Sequence, residues 1–436
     1  MKRKKYIRII KVLVLVCCLG IIKQVLFPSN LSSKQAWKKW SKITKIEEFE
    51  QLVLWNEDID YLIKFLEKRH KNLYHSISKE ELLQDIQKLR QDLNNLSDIG
   101  KLVNIKSLVA KIGDGHTRVA NDIPMNWFPF GLQKFDDGAY VIYCPKEFEQ
   151  ILGYKLTAIN GKDIDEISSI MSEMISHDND INLLDRVLFI IRNADYLEYY
   201  DIIENNESAS FHFESHQGEK VVVEMESYFH KNVPTEWVDI REKYVDIENV
   251  LYTVNNDEIY WYKFFEDESL VYFQYNRCQE NKSNPLDEFI PELLSVLEDN
   301  NVEKFVFDLR SNGGGNSSLI EPLINSLASN DKINQTGNLY VVIGNDTYSS
   351  AVLNTIKLTQ QTNAILIGQP TGGMPNHYGE VKNFNLPNSG LSVSYSTKYF
   401  QHSDNYDGSI YPDIDVVYAF GDFINGIDPV MIEIIQ

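Results

Sequence analysis

The sequence predicts an α/β protein with an N-terminal helical unit and a β-rich insert, and three observations carry that reading. Apolar residues recur three and four apart from Lys34 to Leu108, the spacing of amphipathic helices. Residues 126 to 230 change to short strand patterns broken by Asp-Gly and Asn-Gly turns. From Glu248 onward strand and helix patterns alternate, which implies a largely parallel sheet. A chain of 436 residues exceeds one ordinary core, so several units are expected. The boundaries that the pattern changes suggest are residues 1–28, 29–125, 126–230 and 231–436.

The first of these, MKRKKYIRIIKVLVLVCCLGIIKQVLFP, is a basic flank followed by an apolar run from Val12 to Ile22. That order is a signal peptide or a membrane anchor. Extended from Tyr6 to Phe27 it reaches the roughly 20 residues a span needs, with Arg8, Lys11 and Lys23 snorkelling. No A-x-A cleavage site stands out, which favours an uncleaved anchor. The body is then expected outside the cytoplasm at the cell membrane, or secreted if the segment is cleaved. The segment holds seven of the basic residues and no acid, so removing it takes the net charge from −21 to −28. So acidic a body makes nucleic acid an unsuitable partner.

The helical unit contains IEEFEQLVLWNEDIDYLIKFLEKRH and SKEELLQDIQKLRQDLNN, the second opened by Ser78 and Glu81 in capping-box spacing. It ends in KIGDGHTRV, where glycines bracket an acid just before His116. In the insert, FPFGLQKFDDGAYVIYC reads as two strands, and LGYKLTAINGKDIDEISSIMSEM as a strand, a turn and a helix. The LGxxLxxINGxxI rhythm of the latter resembles a PDZ domain, which would accept a peptide's free C-terminus as an added strand. The last unit gives strands SLVYFQYN, KFVFDL, NLYVVIG and AILIG, separated by helices PLDEFIPELLSVLED, SSLIEPLINSLAS and SSAVLNTIKLTQQ. Ligands bind at loops that follow the C-terminal ends of such strands. VFDLRSNGGGNSS and GNDTYSS both occupy that place.

Ser349 and Ser350 follow a strand and open a helix, an arrangement that exposes a hydroxyl and aims amides at developing negative charge. The plain alternative is that Thr347, Ser349 or Ser350 caps the helix. Glycines 313 to 315 can offer a main-chain N–H to an oxyanion, with Ser350 N–H as the second donor, or they can be a tight turn. His116, with space left by Gly113 and Gly115, is the best-placed base. An unshifted histidine would make activity rise between roughly pH 6 and 7. His377 is a rival. Asp308 and Arg310 read as a lock on the strand end. Cys144 and Cys278 are the only cysteines of the body and could pair in an oxidising compartment. No CxxC or HExxH spacing occurs, so neither metal nor cofactor is expected.

KIGDGHTRV, VFDLRSNGGG, the TYSSA segment and LIGQPTGG, in this order and spacing, resemble the C-terminal processing (tail-specific) peptidases and their tricorn-core relatives. The resemblance implies a crotonase-like or ClpP-like core of ββα units with an inserted PDZ-like domain. It implies serine-type endopeptidase activity on polypeptides through an acyl-enzyme on Ser349, with Gly314 and Ser350 amides as the oxyanion hole. Aligning LIGQPTGGMP to the branch with a Lys base puts Met374 in that role, and Met cannot accept a proton. The chain therefore resembles the His-using branch, with His116 as base and Asp407 as third group, Glu380 being its rival. The alternative is a catalytically silent relative that binds peptides or lipids in the same cleft. A crotonase-type acyl-CoA enzyme shares the implied fold, but an exported body argues against a CoA ligand. A peptidase-like factor tied to export of, or immunity to, a small secreted peptide also fits.

Overall fold

Four helices lead the chain in: Leu31–Ile43, Glu48–Arg69, Lys79–Asp92 and Asp98–Ala110. They belong to a computed structural model that describes residues 31–45, 48–120, 123–229, 233–402 and 408–436. The anchor segment and Asp407 lie outside the described residues. Among those residues, no helix is long and apolar enough to cross a membrane. Ser78 and Glu81 do form a reciprocal capping box, satisfying two of the N–H groups that a helix start leaves unpaired. The fourth helix ends at Ala110, and Gly113, at a φ of +73°, then turns the chain into GDGHT.

The insert folds into a mainly antiparallel sheet of Gly131–Phe135, Gly138–Pro145, Tyr154–Ile159, Ser208–Ser215 and Lys220–Glu226, with two short strands at its side. Asn160 and Gly161 both take positive φ, +48° and +76°, which is what a tight hairpin asks of its two central residues. The connection from this sheet's middle runs through helices Ile164–Ser172 and Asp180–Ile190, and the loop between them carries Asp178.

The last unit is a six-stranded sheet in the order Tyr260–Phe265, Leu270–Tyr275, Lys304–Asp308, Leu339–Ile343, Ile365–Gly368, Ile414–Asp415. The first pair is antiparallel and the remaining pairs are parallel. Its central strands are apolar on both faces because both are covered. Val271, Phe273, Phe305, Phe307 and Val341 enter one apolar cluster, while Leu270, Tyr272, Val306 and Val342 enter another, the alternation that a two-residue period dictates. Where one helix was expected over SSLIEPLINSLAS, a 3₁₀ turn at Ser317–Ile320 precedes the helix Glu321–Ala328. Pro322 suits the first turn of that helix, where its missing N–H is not needed.

A fourth assembly joins distant parts of the chain. Arg118–Val119 pairs with Ser392–Phe400, which pairs in turn with His377–Asn385. This carries GDGHT to the segment that follows LIGQPTGG. Arg310 locks the end of Lys304–Asp308 as expected: its guanidinium lies 2.8 Å from Asp308 and 3.1 Å from Asp428, all three buried. Cys144 and Cys278 are buried free thiols in different apolar clusters, which removes a disulfide between them.

Candidate active site

The loop after Leu339–Ile343 is held against the glycine loop by a set of short bonds. Thr347 Oγ1 donates to Leu309 C=O at 2.9 Å and accepts from Gly344 N–H at 3.0 Å. Tyr348 N–H donates to Asn312 C=O, and Gly373 N–H to Thr347 C=O, each at 3.0 Å. Between these ties Ser349 sits at φ +53°, ψ −120°, a backbone state that a serine adopts only under constraint. The chain turns there from strand to the helix Ser350–Gln361.

This turn separates the adjacent serines. Ser349 occupies the N-cap position yet makes no capping bond, and it is partly exposed. Ser350 is buried, and its hydroxyl donates to Gly315 C=O at 2.7 Å. Thr347 is likewise committed, to Leu309 C=O and Gly344 N–H, so none of the three hydroxyls caps the helix. Gly314 lies against the turn at φ +100°, where a Cβ would come within 2.8 Å of Ser349 Cβ and 3.0 Å of Ser350 N. Its own N–H, however, donates to Asn312 Oδ1 at 2.9 Å. The amides of Gly313 and Ser350 have no hydrogen-bond acceptor among the described residues.

His116 is buried beside Tyr348, their rings stacked at 4.8 Å between centroids. Its Nδ1 lies 3.2 Å from the Tyr348 hydroxyl and 3.7 Å from Asp178 Oδ2, and the same hydroxyl donates to Asp178 Oδ2 in a very short bond. Its Nε2 is buried without a partner. Burial pushes the imidazole down to about 4, against the pull of the Asp178 and Asp114 carboxylates and with the help of His377 and Arg118. Asp114 holds the turn: it accepts from His116 N–H, from Thr117 Oγ1 and from His70 Nε2. Burial pushes its carboxyl up, but the bonds from His70, Thr117 and Ser396, with the charge of His116, outweigh it and hold the group well below the usual carboxylate range. Gly115 is small for a reason, since a Cβ there would meet the Tyr348 hydroxyl at 2.6 Å and the Asp178 carboxyl carbon at 2.8 Å.

Tyr348 and Asp178 were missed from the sequence. Tyr348 stands next to the serine in the quoted motif but carries no signal of its own. Asp178 lies in an HDND loop without periodicity, and only the fold brings it to His116. His377 stacks on His116 at 5.6 Å between ring centroids, with its Nδ1 engaged by Met374 C=O at 2.7 Å. Glu380 is exposed at a bulge with φ +56° and has no side-chain bond to the site. Asp114, His116 and Asp178 could offer three metal ligands within 4.8 Å of one another. Each carboxylate oxygen already accepts a hydrogen bond, Asp178 Oδ1 from Gly115 N–H at 2.7 Å, so the set reads as a hydrogen-bond system. A cavity of about 630 Å³ opens beside Tyr348 and Gly313, lined by Arg118 and Arg186 and by Asp185 and Asp346.

No protein-family model and no curated protein matches the sequence. Solved structures do. Mature CPAF complexed with lactacystin matches at 13% identity over 86% of this chain and 96% of that one, with a TM-score of 0.62. Mature CPAF matches at 12% identity over 88% and 96%, with a TM-score of 0.61. The photosystem II D1 C-terminal processing protease matches at 11% identity over 83% and 93%, with a TM-score of 0.39. The CPAF likenesses establish a shared mixed α/β fold across nearly the whole of those chains.

Proposed function

We propose that the protein is a serine-type endopeptidase with Ser349 as nucleophile and His116 as general base. One observation carries the reading: Ser349 holds a strained positive-φ turn between strand and helix with its hydroxyl uncommitted, next to the residue that touches His116 Nδ1. Ser349 Oγ attacks the peptide carbonyl carbon as its proton passes to His116 Nε2. The oxyanion takes hydrogen bonds from the free amides of Ser350 and Gly313, and Gly314 joins when Asn312 releases its N–H. His116 then gives its proton to the leaving amine, and water repeats the sequence on the acyl-enzyme. In this reading the six-stranded sheet and its helices are a crotonase-like core, and the insert is a PDZ-like unit. The body faces the outside of the cytoplasmic membrane, because residues 1–28 place a basic flank before an apolar run. Asp407 remains a candidate for the third group.

A second reading, a silent peptide- or lipid-binding relative, draws on the bond between Gly314 N–H and Asn312 Oδ1, which leaves the oxyanion site incomplete at that position. A fluorophosphonate probe separates the two. The wild-type protein and Ser350→Ala should be labelled, and Ser349→Ala should not. Absence of labelling in the wild type supports the silent binder, and labelling lost only in Ser350→Ala moves the nucleophile by one residue.

A further inference from the structure

We infer that Tyr348 and Asp178 are positioning residues that fix the tautomer of His116, with the ring proton on Nδ1 and the lone pair on Nε2. The assignment follows from counting donors. The Tyr348 hydroxyl has one proton, and it is directed at Asp178 Oδ2, a carboxylate oxygen that only accepts. Facing His116 Nδ1 at 3.2 Å, that hydroxyl therefore presents a lone pair, so Nδ1 must bring the proton. A neutral imidazole with its proton on Nδ1 leaves Nε2 as the acceptor, and Nε2 is the ring nitrogen that is buried without a partner.

The surroundings of the pair are built for it. Asp178 is itself oriented, since its Oδ1 accepts from Gly115 N–H at 2.7 Å. Arg186 lies over the Tyr348 ring at 5.5 Å and donates to Gly115 C=O at 2.9 Å. Asp114, Asp178, His377 and Arg118 are the charged or titratable groups that bear on His116, besides Tyr348 itself. Asp114 Oδ1 lies 3.9 Å from Nδ1 and is occupied by His116 N–H. During attack the Ser349 proton goes to Nε2. The proton on Nδ1 stays on the ring and the Tyr348 proton stays on its oxygen, so none travels along the chain. The carboxylate acts through the tyrosine by stabilising the imidazolium that forms.

Asp178→Asn reverses the chain while keeping an oxygen for Gly115 N–H. The amide NH₂ then donates to the Tyr348 oxygen, the hydroxyl turns to donate to Nδ1, and the ring proton moves to Nε2. A histidine protonated there cannot accept from Ser349, so kcat should fall by roughly 10²–10⁴-fold with KM little changed. The direct readout is ¹⁵N NMR of the histidine-labelled full-length protein, with the His116 signals assigned by their loss in His116→Gln. The wild type should show Nδ1–H and Asp178→Asn should show Nε2–H. Nε2–H in the wild type overturns the assignment, as does an unchanged tautomer in Asp178→Asn. Should Asp178→Asn fail to fold, the wild-type spectrum decides alone. Because the tautomer is read without any substrate, the result stands or falls apart from the peptidase reading.

Discussion

At His116 the acid side of a pH profile reports how far burial has moved one ring. Burial is the largest influence and lowers its pKa to about 4, with Asp178 and Asp114 pulling upward and His377 and Arg118 pushing down. In the proposed mechanism the neutral ring is the base, so kcat/KM should rise as pH climbs through about 4 and then hold. This lies well below the limb between pH 6 and 7 that an unshifted histidine gives. A profile of kcat/KM between pH 3.5 and 8 checks it, and a midpoint above 6 would show that the ring is not desolvated as described. What was legible at this scale is local: a serine at a strand-to-helix turn, a histidine preceded by two glycines, and a glycine run each announce themselves within a few residues. Tyr348 and Asp178 did not, because their contacts to each other and to His116 span 170 and 232 positions of sequence. No periodicity encodes such a meeting.

Between elements, the glycine loop and the serine turn behave as one part. Gly314 at φ +100° is penalised twice by any side chain, once by its backbone and once by contact with Ser349 Cβ at 2.8 Å and Tyr348 C=O at 2.9 Å. Tyr348 N–H is tied to Asn312 C=O, so the turn cannot move without pulling the loop with it. Gly314→Ala should therefore displace Ser349, and a shift of about 1 Å costs on the order of 10²-fold in kcat. Steady-state kinetics and a melting curve check it: activity should fall much more than stability. Wild-type kcat in this variant would mean that the loop and the turn are not coupled. The parallel strands were readable because their apolar runs are covered on both faces, and the Asn-Gly hairpin because its turn chemistry is specific. The pairing of Arg118–Val119 with Ser392–Phe400 was not, since a two-residue strand has no pattern to read.

Across the whole molecule, the helices and the hairpin His377–Asn385 to Ser392–Phe400 share one apolar core that also takes in the insert. Phe65 stacks on Phe384 at 4.0 Å between centroids, and Lys71 N–H donates to Ser396 C=O at 3.0 Å. Asp58, buried in the second helix, accepts from Asn388 N–H at 2.8 Å and Ser389 N–H at 2.7 Å at the hairpin's tip. The hairpin's other edge pairs with the strand that follows His116. The helical unit therefore supports the histidine through the hairpin. Asp58→Ala leaves two hairpin amides without their acceptor, and a buried donor left unsatisfied costs about 1–3 kcal/mol. That variant should melt several degrees lower, and its loosened hairpin should expose the amides at 388 and 389. Native-state hydrogen exchange is the decisive measurement. In the wild type those amides and the helix Glu48–Arg69 should exchange with a common opening free energy, and in Asp58→Ala both should drop together. If the helix keeps its protection while the hairpin alone opens, the two are separate units, and the helices play no part in holding His116 in place.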